Sequence, residues 1–237
     1  MMHITTGQLP KSNNYGRGRT TKIKYIVIHY TANKGDTALN NVKYFANNSP
    51  KASAHFFVDE KSVYSSVPVT DTAWHCGGGR QSRSGGKWFG KCTNANSIGI
   101  EMCLWDKNGA VRMQTVLKTV ELTKYLMKQY NIPTDNVIRH WDVTGKTCPA
   151  PFAGDDNAYW QDFKNRIIDT NGDDEPVEKE MIYNYIDDNM PEFARPTIQK
   201  LCDKGYLKGD SNGLNLKYDM LRLLTILDRA GVFDLKG

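Results

Sequence analysis

No run in the chain approaches the roughly 18 consecutive apolar residues that a membrane-spanning helix requires. The opening MMHITTGQLPKSNNYGRGRT holds no apolar segment of the kind a secretory leader carries. Cysteine is scarce: five residues, Cys76, Cys92, Cys103, Cys148 and Cys202, are too few and of the wrong parity for a disulfide scaffold. Most are expected as reduced thiols, with Cys76 and Cys92, at the two ends of one loop, either paired outside the cell or buried free. Also missing are zinc-finger spacing, an RNP motif and any basic run interleaved with aromatics, so nothing but charge speaks for nucleic acid.

That charge is unevenly placed. Residues 1–168 carry 22 Lys and Arg against 12 Asp and Glu, residues 169–180 carry 1 against 6, and residues 181–237 carry 8 against 8. The basic excess therefore lies wholly in the first segment, which suits a polyanionic partner, nucleic acid or anionic cell-wall polymer alike.

The acidic stretch DTNGDDEPVEKE (169–180) reads as a solvated linker between a domain of residues 1–168 and a smaller one of residues 181–237. In the first domain strand and helix signals alternate. KYIVIHY (24–30) suits a strand buried on both faces, and TALNNVKYFANN (37–48) a helix with Leu39, Val42 and Phe45 inward. SAHFFVDEKSVYSSVPV gives two strands joined near Asp59–Lys61, and NSIGIEMCLW (96–105) another strand. QTVLKTVELTKYLMKQY (114–130) is a long helix with Val116, Leu117, Val120 and Tyr125 at core spacing, stopped by Pro133. NVIRH (136–140) is a short strand and AYWQDFKNRII (158–168) a closing helix. The expected fold class is α/β, a mixed central sheet flanked by helices, followed by a small all-α C-terminal domain. There, MPEFARPTIQKLCDKGYLKG starts a helix at Pro191 with Ile198, Leu201 and Cys202 on one face, and a second helix carries Leu221, Leu224 and Leu227.

Between strands, HCGGGRQSRSGGKWFGKC (75–92) is either a flexible surface loop or a substrate-facing one, since glycine lets backbone approach a ligand and exposed aromatics favour sugar faces.

RHWDVTGKTCPAP (139–151) places His140, Lys146 and Cys148 close together, and three roles compete for them: metal ligands, a cysteine nucleophile with His140 as base, or packing. A catalytic zinc takes three ligands from His, Cys and carboxylate and keeps a fourth position open. His29 and His140 at strand ends and Cys148 on the next loop supply such a set, and a thiolate favours zinc over magnesium or calcium. The nucleophile reading leaves His29, Glu101 and Lys146 unexplained.

The motifs VIHYTAN, SAHFFVDE, SIGIEMC and RHWDVTGKTCPAP, in that order, resemble the zinc-dependent N-acetylmuramoyl-L-alanine amidases of the amidase-2 type, a fold shared with peptidoglycan recognition proteins and phage lysins. The resemblance covers roughly residues 20–168. It implies zinc ligands His29, His140 and Cys148, Glu101 as the carboxylate that activates water in the phage-lysin branch, and Lys146 as stabiliser of the oxyanion. Many relatives carry a tyrosine before the histidine of the second motif. Here Ala54 stands there, which shifts more of the work to Glu101. His55 either contacts substrate or is hydrogen-bonded within the sheet, and His75, Trp74 and Trp88 are candidate substrate contacts. The implied activity is hydrolysis of the amide between N-acetylmuramic acid and L-alanine in bacterial peptidoglycan, by a phage or prophage endolysin. A host autolysin of the same chemistry, or a recognition protein that only binds peptidoglycan, is the alternative. The protein is expected to be made in the bacterial cytoplasm without a signal peptide and to act on the wall after release, with no nucleic-acid or membrane partner. The tail faintly resembles wall-associated helical modules, which implies targeting to a secondary wall polymer; a dimerisation or folding appendage is the other reading.

Overall fold

The computed structural model describes residues 2–168, 182–187, 190–210 and 213–234. They divide into two compact units, Met1–Asn171 and Gly172–Gly237. The acidic stretch read as a linker, 169–180, lies outside the described residues.

The first unit is built on strands β1 (Thr5–Thr6), β3 (Tyr25–Tyr30), β4 (Phe56–Val58), β5 (Val63–Ser65), β7 (Ser97–Met102) and β8 (Val137–Arg139). They form one six-stranded sheet in the order β1-β5-β4-β7-β3-β8. The β4–β5 hairpin is antiparallel and the other pairs are parallel, so the sheet is mixed. Its turn is made by Asp59, whose carboxylate accepts from the backbone of Lys61 and Ser62. β2 (Tyr15–Gly16) and β6 (Thr72–Ala73) pair separately.

The period-two alternation of strands assigns each residue a face. Ile26, Ile28, Ile98, Ile100, Met102 and Val137 enter the main core beneath helices α2 (Met113–Tyr130) and α4 (Ala158–Ile168). Tyr25, Val27 and Ile138 pack on the opposite side with Cys76, Cys92, Val143 and Trp88. His29 follows Val27 in this second set, and Glu101 stands opposite it on β7. Each fully buried isoleucine contributes about 1.5–3 kcal/mol, and a one-residue slip would exchange those side chains for His29 and Glu101. The apolar pattern of the strands thus fixes where the polar residues emerge.

Helix α1 (Ala38–Asn47) is capped by the Thr37 side chain, which accepts from Asn40 N, and by Asp59, which accepts from Ala38 N. Its inner face differs from the expected one: Leu39 is exposed, while Val42 and Asn41 are buried. The amide of Asn41 donates to Asp36 and to the Thr37 carbonyl, which makes its burial tolerable. In α2, Val116 and Val120 are buried but Tyr125 is exposed; Thr115, Thr119 and Thr123 complete the inner face. Thr119 and Thr123 satisfy their hydroxyls on the carbonyls four residues back. The helix ends at Asn131, in the left-handed conformation, before Pro133 is reached.

The strand expected over 136–140 ends at Arg139. His140 opens a short helix, α3 (His140–Thr144), closed by left-handed Gly145. The guanidinium of buried Arg139 pairs with both Asp142 oxygens, donates to the carbonyls of Phe152 and Gly154, and lies over the rings of Trp141 and Trp160. One side chain thereby ties strand, helix and the loop beyond Cys148 together.

In the second unit, α5 (Arg195–Asp203) and α6 (Tyr218–Arg229) enclose Met190, Ala194, Ile198, Leu201, Leu216 and Leu221. α5 begins at Arg195 rather than at Pro191, with Pro196 in its first turn. Cys202 and Leu224 pack at the margin of this core. Asp228 joins the helices by accepting from Thr197 and Lys200. Among the described residues no helix is long and apolar enough to cross a membrane.

Candidate metal centre

His29, His140 and Cys148 are buried together, with one donor atom of each within 4.8 Å of the others. Three elements deliver them. β3 carries His29 at its penultimate position, α3 presents His140 from its first residue, and the following loop brings Cys148 back, held by Trp141 N donating to the Cys148 carbonyl at 2.8 Å. The Cys148 Sγ lies 3.8 Å from His29 Nδ1, and the His29 and His140 rings meet edge to face at 4.7 Å.

Both ring nitrogens of His140 are enclosed and have no hydrogen-bond partner. A buried, unpaired polar group is costly, and a cation among two imidazoles and a thiol would satisfy it. The donor set therefore fits a metal ion. Burial and neighbouring cations keep both histidines neutral, as ligation requires: His29 is held well below the ordinary histidine range, and His140 is brought down to about 3. Burial first, then the Glu101 charge, pushes the Cys148 thiol up to about 12. Without a positive charge at the site, Cys148 holds its proton.

Glu101 is half-buried, with Oε2 enclosed and unpartnered. Burial raises its carboxyl to about 7, against the pull of His75 and Lys146. A carboxyl poised there can take and return a proton near neutrality. Lys146 is exposed on the loop, yet close enough to act on the charges of Glu101, His29 and His140.

The four remaining candidates divide. His55 is wholly buried: Nδ1 accepts from Gly99 N and Nε2 meets the Arg19 guanidinium, so it is engaged within the fold. His75 is partly buried and contacts His29, 3.0 Å between His75 Nδ1 and His29 Nε2. Trp88 packs its ring against Tyr25 beside the Cys76–Cys92 cluster. Trp74 lines a groove of about 440 Å³ together with Gly77, Gly78, Phe89, Asn94 and Thr144. Cys76 and Cys92 are free, buried thiols.

The glycine-rich loop is tied to α3 through its backbone. Gln81 N, Gly86 N and Trp88 N donate to the carbonyls of Thr144, Trp141 and Asp142; the Trp141 carbonyl also accepts from Gly145 N at the helix end. Gly85 is in the left-handed region, and a Cβ there would stand 2.6 Å from the Trp141 carbonyl oxygen. Sequence reasoning overlooked this support, and also Arg19, which gathers the carbonyls of Val69, Asp71, Ala95 and Ser97 around His55.

Residues 19–151 match the family model described as N-acetylmuramoyl-L-alanine amidase. The chain is 36% identical over 175 residues to the N-acetylmuramoyl-L-alanine amidase BlyA of Bacillus subtilis, covering 70% of this chain and 47% of BlyA. It is 37% identical over 152 residues to the N-acetylmuramoyl-L-alanine amidase CwlL of Bacillus licheniformis, covering 61% of this chain and 41% of CwlL. The chain thus spans about half the length of these curated relatives. A solved structure of a mutant endolysin from Bacillus subtilis shares the fold, with a TM-score of 0.57 and 30% identity over 70% of this chain and 99% of that one. His29, Glu101, His140, Lys146 and Cys148 all fall inside the matched segment.

Proposed function

The chain belongs to the N-acetylmuramoyl-L-alanine amidase family, and on that premise we propose that it hydrolyses the amide between N-acetylmuramic acid and L-alanine in bacterial peptidoglycan, as a zinc-dependent endolysin. The observation that carries the reading is the buried His29–His140–Cys148 cluster with the unpartnered Oε2 of Glu101 beside it.

In this reading His29, His140 and Cys148 hold Zn²⁺, and the thiolate favours zinc over harder divalent ions. When bound, the ion supplies Lewis acidity that makes water a nucleophile near neutral pH and polarises a carbonyl. Glu101 takes the proton from the attacking water and returns it to the alanine nitrogen as the C–N bond breaks. The Lys146 ammonium opposes the negative charge that develops on the carbonyl oxygen. Trp74 and Phe89, on the groove wall, offer flat apolar faces to the substrate.

Residues 1–168 are the catalytic domain and residues 181–237 a wall-binding module that tethers the enzyme to a secondary polymer of the cell wall, where it acts. Support for the tethering comes from the tail's own apolar core and from exposed Tyr185, Tyr206 and Tyr218. Removing residues 181–237 should leave hydrolysis of soluble muropeptide intact and weaken binding to whole sacculi.

Purified protein loaded with zinc is expected to release free amino groups from peptidoglycan without new reducing ends, and to stop on chelation. Absence of release, or release that survives chelation, would overturn the zinc-amidase reading.

A further inference from the structure

His75 has no ring nitrogen to spare for a substrate. Nδ1 lies 3.0 Å from His29 Nε2, and Nε2 lies 3.1 Å from the hydroxyl of Ser97. The direction of each bond can be worked out from the far end. Ser97 Oγ is 2.6 Å from the carbonyl oxygen of Thr93, which can only accept, so the single hydroxyl proton of Ser97 points there. Ser97 Oγ must then accept from His75, which places a proton on His75 Nε2. In the single-proton form of the ring, His75 Nδ1 keeps its lone pair and accepts from His29 Nε2–H. His29 Nδ1 is left unprotonated, and that is the nitrogen facing Cys148 Sγ.

We propose that His75 is a positioning residue for the metal ligand His29: through the series Thr93–Ser97–His75–His29 it fixes the His29 tautomer and ring orientation, so that Nδ1 is always the metal-facing lone pair. The inference rests on the reading of His29 as a ligand. Partners of this kind are expected to change metal affinity by about 10- to 100-fold. Two features hold the series in place. The backbone N–H groups of His75 and Cys76 both donate to the Asn94 side chain, which pins the main chain. The ring itself lies against Gly99 on β7, where a Cβ would stand 2.5 Å from His75 Cγ. A glycine between two isoleucines of a buried strand is otherwise a weakness; here it makes room for the imidazole.

Two measurements test this. In metal-free protein, long-range ¹H–¹⁵N spectra of the imidazoles should show His29 and His75 both protonated at Nε2. A His29 ring carrying its proton on Nδ1 would overturn the proposal, whether or not the protein binds zinc. Chelator competition should then give a zinc affinity about 10- to 100-fold weaker for His75→Ala. His75→Asn, whose Oδ1 can accept where Nδ1 did, should return to within about threefold of the parent. Gly99→Ala, which displaces the ring and deletes no polar group, should weaken affinity as His75→Ala does. Parent-like affinity in His75→Ala would sink the positioning role while leaving the metal centre intact. A parent that binds no zinc would instead sink the proposed function, and the tautomer spectra alone would then decide this inference.

Discussion

His29 and Glu101 stand directly opposite each other on adjacent parallel strands, in the register that also pairs Ile28 with Ile100. The packing that buries the isoleucines therefore brings the proposed metal ligand and the proposed proton carrier to the same rim of the sheet. The arrangement has a cost, because Glu101 is enclosed without a hydrogen-bond partner at Oε2.

That cost is measurable in Glu101→Gln. Burial raises the folded-state pKa of Glu101 from 4.5 to about 7, so the folded protein binds the proton more tightly than the unfolded chain. Its contribution to stability is fully present below about pH 4.5 and lost as pH rises through about 7. The metal-free glutamine variant should therefore be the more stable protein at pH 8, by at most about 3 kcal/mol, with the difference gone near pH 4. Denaturant melts in chelator at the two pH values check it, and a pH-independent difference would count against the carboxyl. Amidase activity of the zinc-loaded variant should fall by about 10²-fold or more, with zinc still bound.

Zinc uptake should release a proton from Cys148. The histidines are already neutral at pH 7, whereas the thiol, at about 12 without metal, is not ionised. Between about pH 8 and 10, where Glu101 too is ionised, the apparent affinity should rise about tenfold per pH unit. Titration calorimetry in buffers of different ionisation enthalpy should count about one proton per ion. A count of zero would mean that the thiol is not a ligand.

His140→Ala should separate metal binding from folding. Both ring nitrogens are buried without partners, so the metal-free fold gains nothing from them and loses only the packing of the ring. The variant should unfold within about 1–2 kcal/mol of the metal-free parent but lose the stabilisation that zinc confers on the parent by mass action. Zinc-dependent stabilisation that survives would remove His140 from the site.

Gly145→Ala should damage the site from outside it. Gly145 has φ +78°, and a Cβ there would lie 2.8 Å from the Ser84 carbonyl oxygen. A left-handed alanine costs about 1 kcal/mol, and lifting the 81–88 segment off α3 adds to that. A loss of about 2–4 kcal/mol is expected on thermal or chemical unfolding, accompanied by weaker zinc binding; a loss under 1 kcal/mol would show that the loop does not brace the helix.

The parts of the fold that were legible in the sequence are those written in apolar period. KYIVIHY and SIGIEM announce the central parallel strands, and the same alternation sets His29 and Glu101 on one face. The parts that were not legible depend on polar side chains satisfied by distant or unusual partners. Thr115, Thr119 and Thr123 look like an outer face until their hydroxyls turn back on the helix, while Leu39 and Tyr125 look like core and are exposed. Two-residue strands such as β1 and β6 leave too short a pattern to see. Helix α3 is five residues long, and three of its carbonyls accept from residues 81–88, so apart from the stop at Gly145 little local signal marks it. In the site, residue types and chain order pointed to His29, His140, Cys148 and Glu101, but His75 resembled a loop residue because its partners, His29 and Ser97, lie on two different strands.

The metal cluster spans a sequence separation of 119 residues, from His29 to Cys148, and the helix that presents His140 leans on a loop from a third region of the chain. Parallel pairings of this kind form slowly, since each closes a long loop before any contact rewards it. In the proposed zinc site the ion could be gripped only after β3 and β8 have paired and the glycine loop has docked, which would make metal occupancy a certificate of completed folding: a chain halted before residue 148 has no third proposed ligand to offer.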